Sequence, residues 1–213
     1  MSTKMKSAEV VFDNWARDYH ADGMEKEHWE TVAQAYQLIP ESTENYLEVG
    51  VGNGYGLYHM ATHQFSKGQC WGLDVSSEMV NITKQRIQDL ENAKAEQGDF
   101  LLWTPPKGLK FSLIFSMEVF YYFHDIQKGI EKAASLLDKN GTLMVAVNFF
   151  KESPLSHSWP EDVNTPMQLW SADDYKEGFL KAGFQKVKQH RFYKASRVLD
   201  EDGGTLVSVG VMS

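Results

Sequence analysis

A single cysteine, Cys70, occurs in 213 residues, which excludes a disulfide framework and a thiolate metal cluster. Positive charge is also scarce: 21 Lys and Arg against 29 Asp and Glu give a net charge of −8. The basic residues are scattered rather than gathered in a run, so no nucleic-acid partner is expected, because a phosphate backbone needs a basic face. No uninterrupted apolar segment reaches membrane-spanning length, and the opening MSTKMKSAEVVFDNW lacks the apolar core of a signal peptide. These absences lead to the expectation of a cytoplasmic protein with no membrane partner; they say nothing of oligomeric state. What the chain does have is a 42% hydrophobic and 13% aromatic content, enough for one folded α/β domain of this length.

The period of apolar residues divides that domain. Glu9–His20 and Met24–Leu38 read as helices, the second with Trp29, Val32, Ala33, Tyr36 and Gln37 near one face and Pro40 closing the run. Residues 1–40 are thus an expected N-terminal helical cap. Over 41–150 short apolar runs alternate with helical segments. Strands are expected at Tyr46–Val49, Gln69–Leu73, Ala93–Gly98, Phe111–Ser116 and Thr142–Phe149. Helices fall between them at Tyr55–His63, from Ser76 or Ser77 to about Glu91, and from Asp125 to Leu137. Three of the six prolines lie in 151–170, which shows no period and reads as a lid-like loop. Residues 171–213 supply a helix at Ser171–Ala182 and strands at Gln185–Phe192 and Thr205–Met212, around a loop containing DEDGG. Strand–helix alternation followed by an extra strand pair predicts a doubly wound, Rossmann-like α/β fold. Its seven-stranded sheet should be mostly parallel with an antiparallel last strand.

The stretch YLEVGVGNGYG at 46–56 places four glycines at every second position behind the first strand. Such a turn lets a ligand approach bare backbone at the carboxyl ends of the strands. Asp74 ends the next strand, 24 residues after Gly50, where a carboxylate can accept from both hydroxyls of a ribose. A dinucleotide fingerprint, GxGxxG, would need glycine at position 55, and Tyr55 stands there. A ribose-bearing cofactor is therefore expected, with the pyrophosphate reading of a nicotinamide-dependent oxidoreductase weakened and kept as the alternative enzyme.

Glu48-Val49-Gly50-Val51-Gly52-Asn53-Gly54 resembles the E/D-x-G-x-G-x-G motif of class I S-adenosylmethionine-dependent methyltransferases. The resemblance continues in order through LDVSSEMV at 73–80, QGDF at 97–100, FSLIFSMEVFYYFHD at 111–125 and LLDKNGTLMV at 136–145. It implies S-adenosylmethionine as cofactor and assigns roles by position. Gly50, Gly52 and Gly54, with Asn53 between them, would pack under its methionine and ribose portions, and Glu48 would face its ammonium. Asp74 would hold the ribose hydroxyls, with Val75 and Met79 beside sugar and adenine. Asp99, after Gly98, would accept from the adenine amino group, with Phe100 against the ring. Ser116 and Met117 would offer backbone near the ammonium, and Tyr19 would close the site from the cap.

The motifs of several acceptor classes are absent. There is no D/N/S-P-P-Y/F turn after the fourth strand, no cysteine set for arsenite chemistry, and no acid cluster for a metal. A small-molecule acceptor and a metal-independent displacement are expected. A protein that binds the cofactor as a non-catalytic partner subunit is a further alternative. The acceptor walls are expected at FYYFH, 120–124, and at NFFKESPLSHSWPED, 148–162. Tyr122, His124 and His157 are the candidate catalytic side chains, His157 as base or orienting group. Ser156, Trp159 and Asp162 are the other polar or anchoring residues of that loop. Trp15, Trp29, Trp159 and Trp170 are available either for a cage around a cationic amine or for ordinary packing. Replacing Asp74 by Ala should weaken cofactor affinity by about 1.5–3 kcal/mol, the worth of a hydrogen bond to a charged group. Unchanged affinity in a calorimetric titration would remove Asp74 from the ribose site.

Overall fold

The computed structural model describes residues 5–18, 21–42, 44–195 and 203–213. Seven strands form one sheet: β1 (Asn45–Val49), β2 (Gln69–Asp74), β3 (Ala93–Gln97), β4 (Phe111–Met117), β5 (Leu137–Val147), β6 (Gln185–Phe192) and β7 (Thr205–Val211). Their order is β3-β2-β1-β4-β5-β7-β6. β1 to β5 pair in parallel, and β7 runs antiparallel to both β5 and β6. The helices are α1 (Ala8–Arg17), α2 (Ala21–Tyr36), α3 (Tyr55–Thr62), α4 (Ser77–Arg86), α5 (Ile126–Leu136), α6 (Trp159–Asp162) and α7 (Ala172–Lys181).

Two-residue periodicity splits the central strands between two cores. Leu47, Val49, Ile114, Leu143 and Val145 join Ile130, Tyr175 and Phe179 on one face. Tyr46, Leu113, Phe115, Met144 and Ala146 join Tyr36, Leu57 and Phe65 on the other. Strands buried on both sides read as continuous apolar runs for this reason. Helix starts follow local polar chemistry: Ser76, Asp125 and Ser171 each accept a backbone N–H of the first turn, and Ser171 with Asp174 forms a reciprocal capping box.

Some boundaries move. α4 ends at Arg86, short of the expected Glu91, because the Asn92 amide donates to the carbonyls of Ala61, Phe65 and Gly68 and draws the chain into β3. β5 begins at Leu137 rather than Thr142: residues 138–141, expected to stop the helix, form an irregular strand start where the register shifts against β4 and Asn140 takes φ of 64°. The face that α2 buries is Val32, Ala35, Tyr36 and Ile39 just beyond its end, while Trp29 and Gln37 remain exposed. The segment read as loop, 151–170, contains a 3₁₀ turn at Pro154–Ser156 and the short α6. The DEDGG loop lies partly outside the described residues.

Chain direction across the sheet reverses between β1 and β4, and this switch point opens a crevice at their carboxyl ends. Two segments roof it. α1 is tied to the start of α4: the Ser76 hydroxyl donates to Asp13, and Arg17 pairs with Glu78 at 2.9 Å. The chain ahead of α1 is held to the segment after α6, with Lys6 N–H donating to the Asn164 carbonyl at 2.9 Å and the Thr165 hydroxyl donating to the Lys6 carbonyl at 2.9 Å. Cap and lid therefore meet over the switch point.

Candidate active site

The turn after β1 has three glycines in the left-handed region, Gly50 (φ 74°), Gly52 (φ 54°) and Gly54 (φ 80°). A Cβ at Gly50 would stand 2.1 Å from the Val119 side chain, so the β1 and β4 turns meet only because that atom is missing. Asp74 fixes the turn from β2: its Oδ2 accepts the Gly52 N–H at 2.8 Å and its Oδ1 the Ser76 N–H at 2.9 Å. Asn53 accepts the Tyr55 N–H at 3.2 Å and opens α3.

These turns border a cavity of about 890 Å³. Of the expected cofactor residues, Glu48, Gly50, Gly52, Asn53, Asp74, Val75, Met79, Gly98, Asp99, Phe100 and Met117 line it. Two do not. Gly54 faces α4, where a Cβ would lie 2.8 Å from the Thr83 side chain, so its glycine serves helix packing. Ser116 is fully buried and donates its hydroxyl to the Val49 carbonyl at 2.9 Å, which spends it on joining β4 to β1. Tyr19 lies outside the described residues.

Three carboxyl groups here sit without a basic partner. Burial pushes Glu48 up to about 8, against the hydrogen bond it accepts from the Tyr46 hydroxyl at 3.0 Å. Beside it lies the buried Tyr36 hydroxyl, which burial and the neighbouring Glu48 keep protonated. Burial raises Asp74 to about 6, opposed by the N–H groups of Ser76 and Gly52. It raises Glu118 to about 7, opposed by the Asn148 N–H and the Tyr121 hydroxyl. Glycine backbone at the switch point, a strand-end acid, and a buried polar corner around Glu48 together fit S-adenosylmethionine, whose methionine end carries an ammonium.

Beyond this seat the cavity continues between α1, the turn at Phe120–Tyr122 and α6. Tyr122 and His124 line it; His157 does not. The His157 ring faces outward from the 3₁₀ turn, with Nε2 3.4 Å from the Phe150 carbonyl, so it is not placed as a base. Of the four tryptophans, Trp15 and Trp159 line the cavity. Trp29 packs edge-on against Tyr36, Tyr55 and His59, and Trp170 against Tyr175. Asp162 lines the rim and accepts from the Ser158 hydroxyl at 2.7 Å, whereas Ser156 is buried and donates to the Ser153 carbonyl. Phe12 and Glu118 were not among the expected site residues. Phe12 meets Tyr122 edge-on at 5.4 Å, and Glu118 holds a left-handed backbone, φ 60°. Neither feature has a sequence signature.

Two outcomes follow from this geometry. The folded protein keeps the Glu48 proton between about 4.5 and about 8 while the unfolded chain has released it. Stability is therefore lost as pH rises through that window, by at most about 1.4 kcal/mol per pH unit. Asp74 and Glu118 tilt the same way over narrower windows. Denaturant melts at pH 5 and pH 8 should show Glu48→Gln losing less stability across the interval than wild type; equal losses would refute the assignment. Replacing His157 by Ala should leave methyl transfer and stability within about 0.5 kcal/mol of wild type, and a collapse of turnover with cofactor affinity intact would return it to the site.

A family profile described as a methyltransferase domain matches residues 15–189. No curated protein matches. Among solved structures, the methyltransferase crystallised with the Haloferax volcanii Trm112 methyltransferase activator is 29% identical, with 99% of each chain covered and a TM-score of 0.86. A Thermotoga maritima S-adenosylmethionine-dependent methyltransferase is 19% identical over 96% of this chain and 99% of its own, TM-score 0.74. The N-methyltransferase NodS of Bradyrhizobium japonicum, bound to S-adenosylhomocysteine, is 18% identical over 88% and 86%, TM-score 0.66. The last two share the fold. With 175 consecutive positions covered by the profile, the chain belongs to the class I methyltransferases that use S-adenosylmethionine.

Proposed function

We propose that the protein transfers a methyl group from S-adenosylmethionine to a small-molecule acceptor by in-line displacement, without a metal. The observation that carries this reading is the continuity of the cavity. One space of about 890 Å³ runs from the glycine turn to the chamber lined by Phe12, Trp15, Tyr122 and Trp159, beneath the joined cap and lid. That volume lies in the upper part of the roughly 300–1,000 Å³ typical of small-molecule pockets, room for a cofactor and a modest acceptor. The bound cofactor supplies a methyl group already activated by the sulfonium. The chain's own contribution is then alignment and exclusion of water. Asp74 and the Gly52 N–H hold the turn in shape, Phe100 and Met79 wall the seat, and α1 with the lid covers the chamber.

A second reading is favoured by one finding: the 29% identity, over 99% of both chains, to a methyltransferase crystallised with Trm112. In it the chain is the catalytic subunit of a complex with an activator protein of that kind. Tritiated S-adenosylmethionine, incubated with the purified protein and a deproteinised small-molecule extract, should label low-molecular-weight product. S-adenosylhomocysteine, and not NAD(H), should bind saturably. Label appearing only in RNA or protein, and only after Haloferax volcanii Trm112 is added and co-elutes, would replace the first reading by the second.

A further inference from the structure

Among the described residues lining the cavity there is no lysine and no arginine, although seven are carboxylates. Glu48, Asp74 and Asp99 border the cofactor seat, and Glu27 is paired with Lys194 at 2.6 Å. The remaining three, Glu9, Glu118 and Asp162, belong to the acceptor end. An acceptor bearing phosphate or carboxylate would meet these carboxyl groups with only the imidazoles of His28 and His124 on the wall to set against them. A cationic amine would be drawn in, and Trp15, Tyr122 and Trp159, which line the same space, are ring types that attract such a cation.

Glu118 is the built part of this arrangement. It follows β4 directly, so it stands between Met117 at the cofactor seat and Tyr121 and Tyr122 at the chamber. Its φ of 60° is costly for a residue with a Cβ. Each carboxylate oxygen is oriented by one donor, Oε1 by the Asn148 N–H and Oε2 by the Tyr121 hydroxyl at 2.9 Å. Each oxygen has a lone pair left to accept from a ligand. The strained backbone and the two donors fix a carboxylate at the junction between cofactor and acceptor.

Resting on the small-molecule reading above, we propose that the acceptor is a primary or secondary amine free of phosphate and carboxylate, and that Glu118 is its general base. The ammonium form of such an amine has no lone pair to react. Glu118 takes one N–H proton. The freed nitrogen pair then forms the new N–C bond as the methyl leaves, the electron pair of the breaking C–S bond stays on sulfur, and S-adenosylhomocysteine remains. The proton passes to solvent from Glu118 when the products depart. Burial raises Glu118 to about 7, where a carboxylate is basic enough for this exchange near neutrality. The titratable neighbours that feel its charge are Tyr55, Tyr121, Tyr122 and Tyr175. All four hydroxyls are pushed further up by burial and stay neutral over that range.

The test uses matched pairs on protein saturated with S-adenosylhomocysteine: tryptamine against tryptophan, histamine against histidine, ethanolamine against phosphoethanolamine. Calorimetry should find at least one amine bound about tenfold or more tighter than its anionic counterpart, a difference of about 1.4 kcal/mol. With that amine, E118Q should retain S-adenosylhomocysteine affinity within about twofold. It should lose methyl transfer by about 100-fold or more, together with the limb of the kcat/KM profile that rises towards neutral pH. If E118Q no longer binds S-adenosylhomocysteine, E118D provides the comparison, with the acid kept and its reach shortened. An anionic counterpart binding as well as its amine, no amine binding to the loaded protein, or an E118Q variant with unchanged rate and pH profile would each overturn the proposal. Failure of the wild type to bind S-adenosylhomocysteine at all would instead remove the methyl-transfer reading beneath it.

Discussion

A carboxyl group taken out of water without a cation nearby gives up its proton reluctantly, and the carboxyl edge of this sheet is built around three of them. Glu48, Asp74 and Glu118 come from the ends of β1, β2 and β4, which the topology brings side by side. Each is steadied by backbone N–H groups or a tyrosine hydroxyl rather than by lysine or arginine. Neutral donors lower the cost of a buried charge without cancelling it. The site is thus left short of positive charge, and the ligands that relieve the shortage are cations. A sulfonium with an ammonium is one such ligand; a protonated amine is another.

The same carboxylates organise the backbone. Asp74 accepts N–H groups from the turn after β1 and the turn after β2, so the glycine loop and the start of α4 share one anchor. From α4 the linkage continues through Ser76 to Asp13 in α1. Glu118 in turn holds Asn148, the residue just past β5, where the lid segment departs. The sheet edge, the cap and the lid are therefore connected by short polar links that all begin at the site. No helix among the described residues is long and apolar enough to cross a membrane, and most of the large apolar side chains lie in the two cores.

Local signals made much of this legible. The parallel strands, the glycine turn, the strand-end acid and the helix caps at Ser76, Asp125 and Ser171 depend on neighbours in sequence, and they stand where local chemistry puts them. Where the reading moved, a distant contact was responsible. Asn92 reaching back to three carbonyls shortened α4, and Gly54 turned out to serve Thr83 rather than the cavity. His157 carried the residue type of a base and was turned away by the 3₁₀ fold of its loop.

The sequence by itself determined the order of elements, the S-adenosylmethionine-dependent family and the shortage of positive charge, because motif spacing and composition survive without coordinates. Which aromatic residues face the acceptor was decided only by tertiary structure. Trp15 and Trp159 lie far apart in the chain and meet across the chamber because α1 and the lid are hydrogen-bonded to each other over the switch point. Trp29 and Trp170, equal candidates by composition, pack elsewhere: Trp29 in α2 against Tyr36, and Trp170, just ahead of α7, against Tyr175. Glu118 shows the same limit. Its left-handed backbone and its two donors come from the packing of β4 against β5, and no spacing in SMEV could announce them.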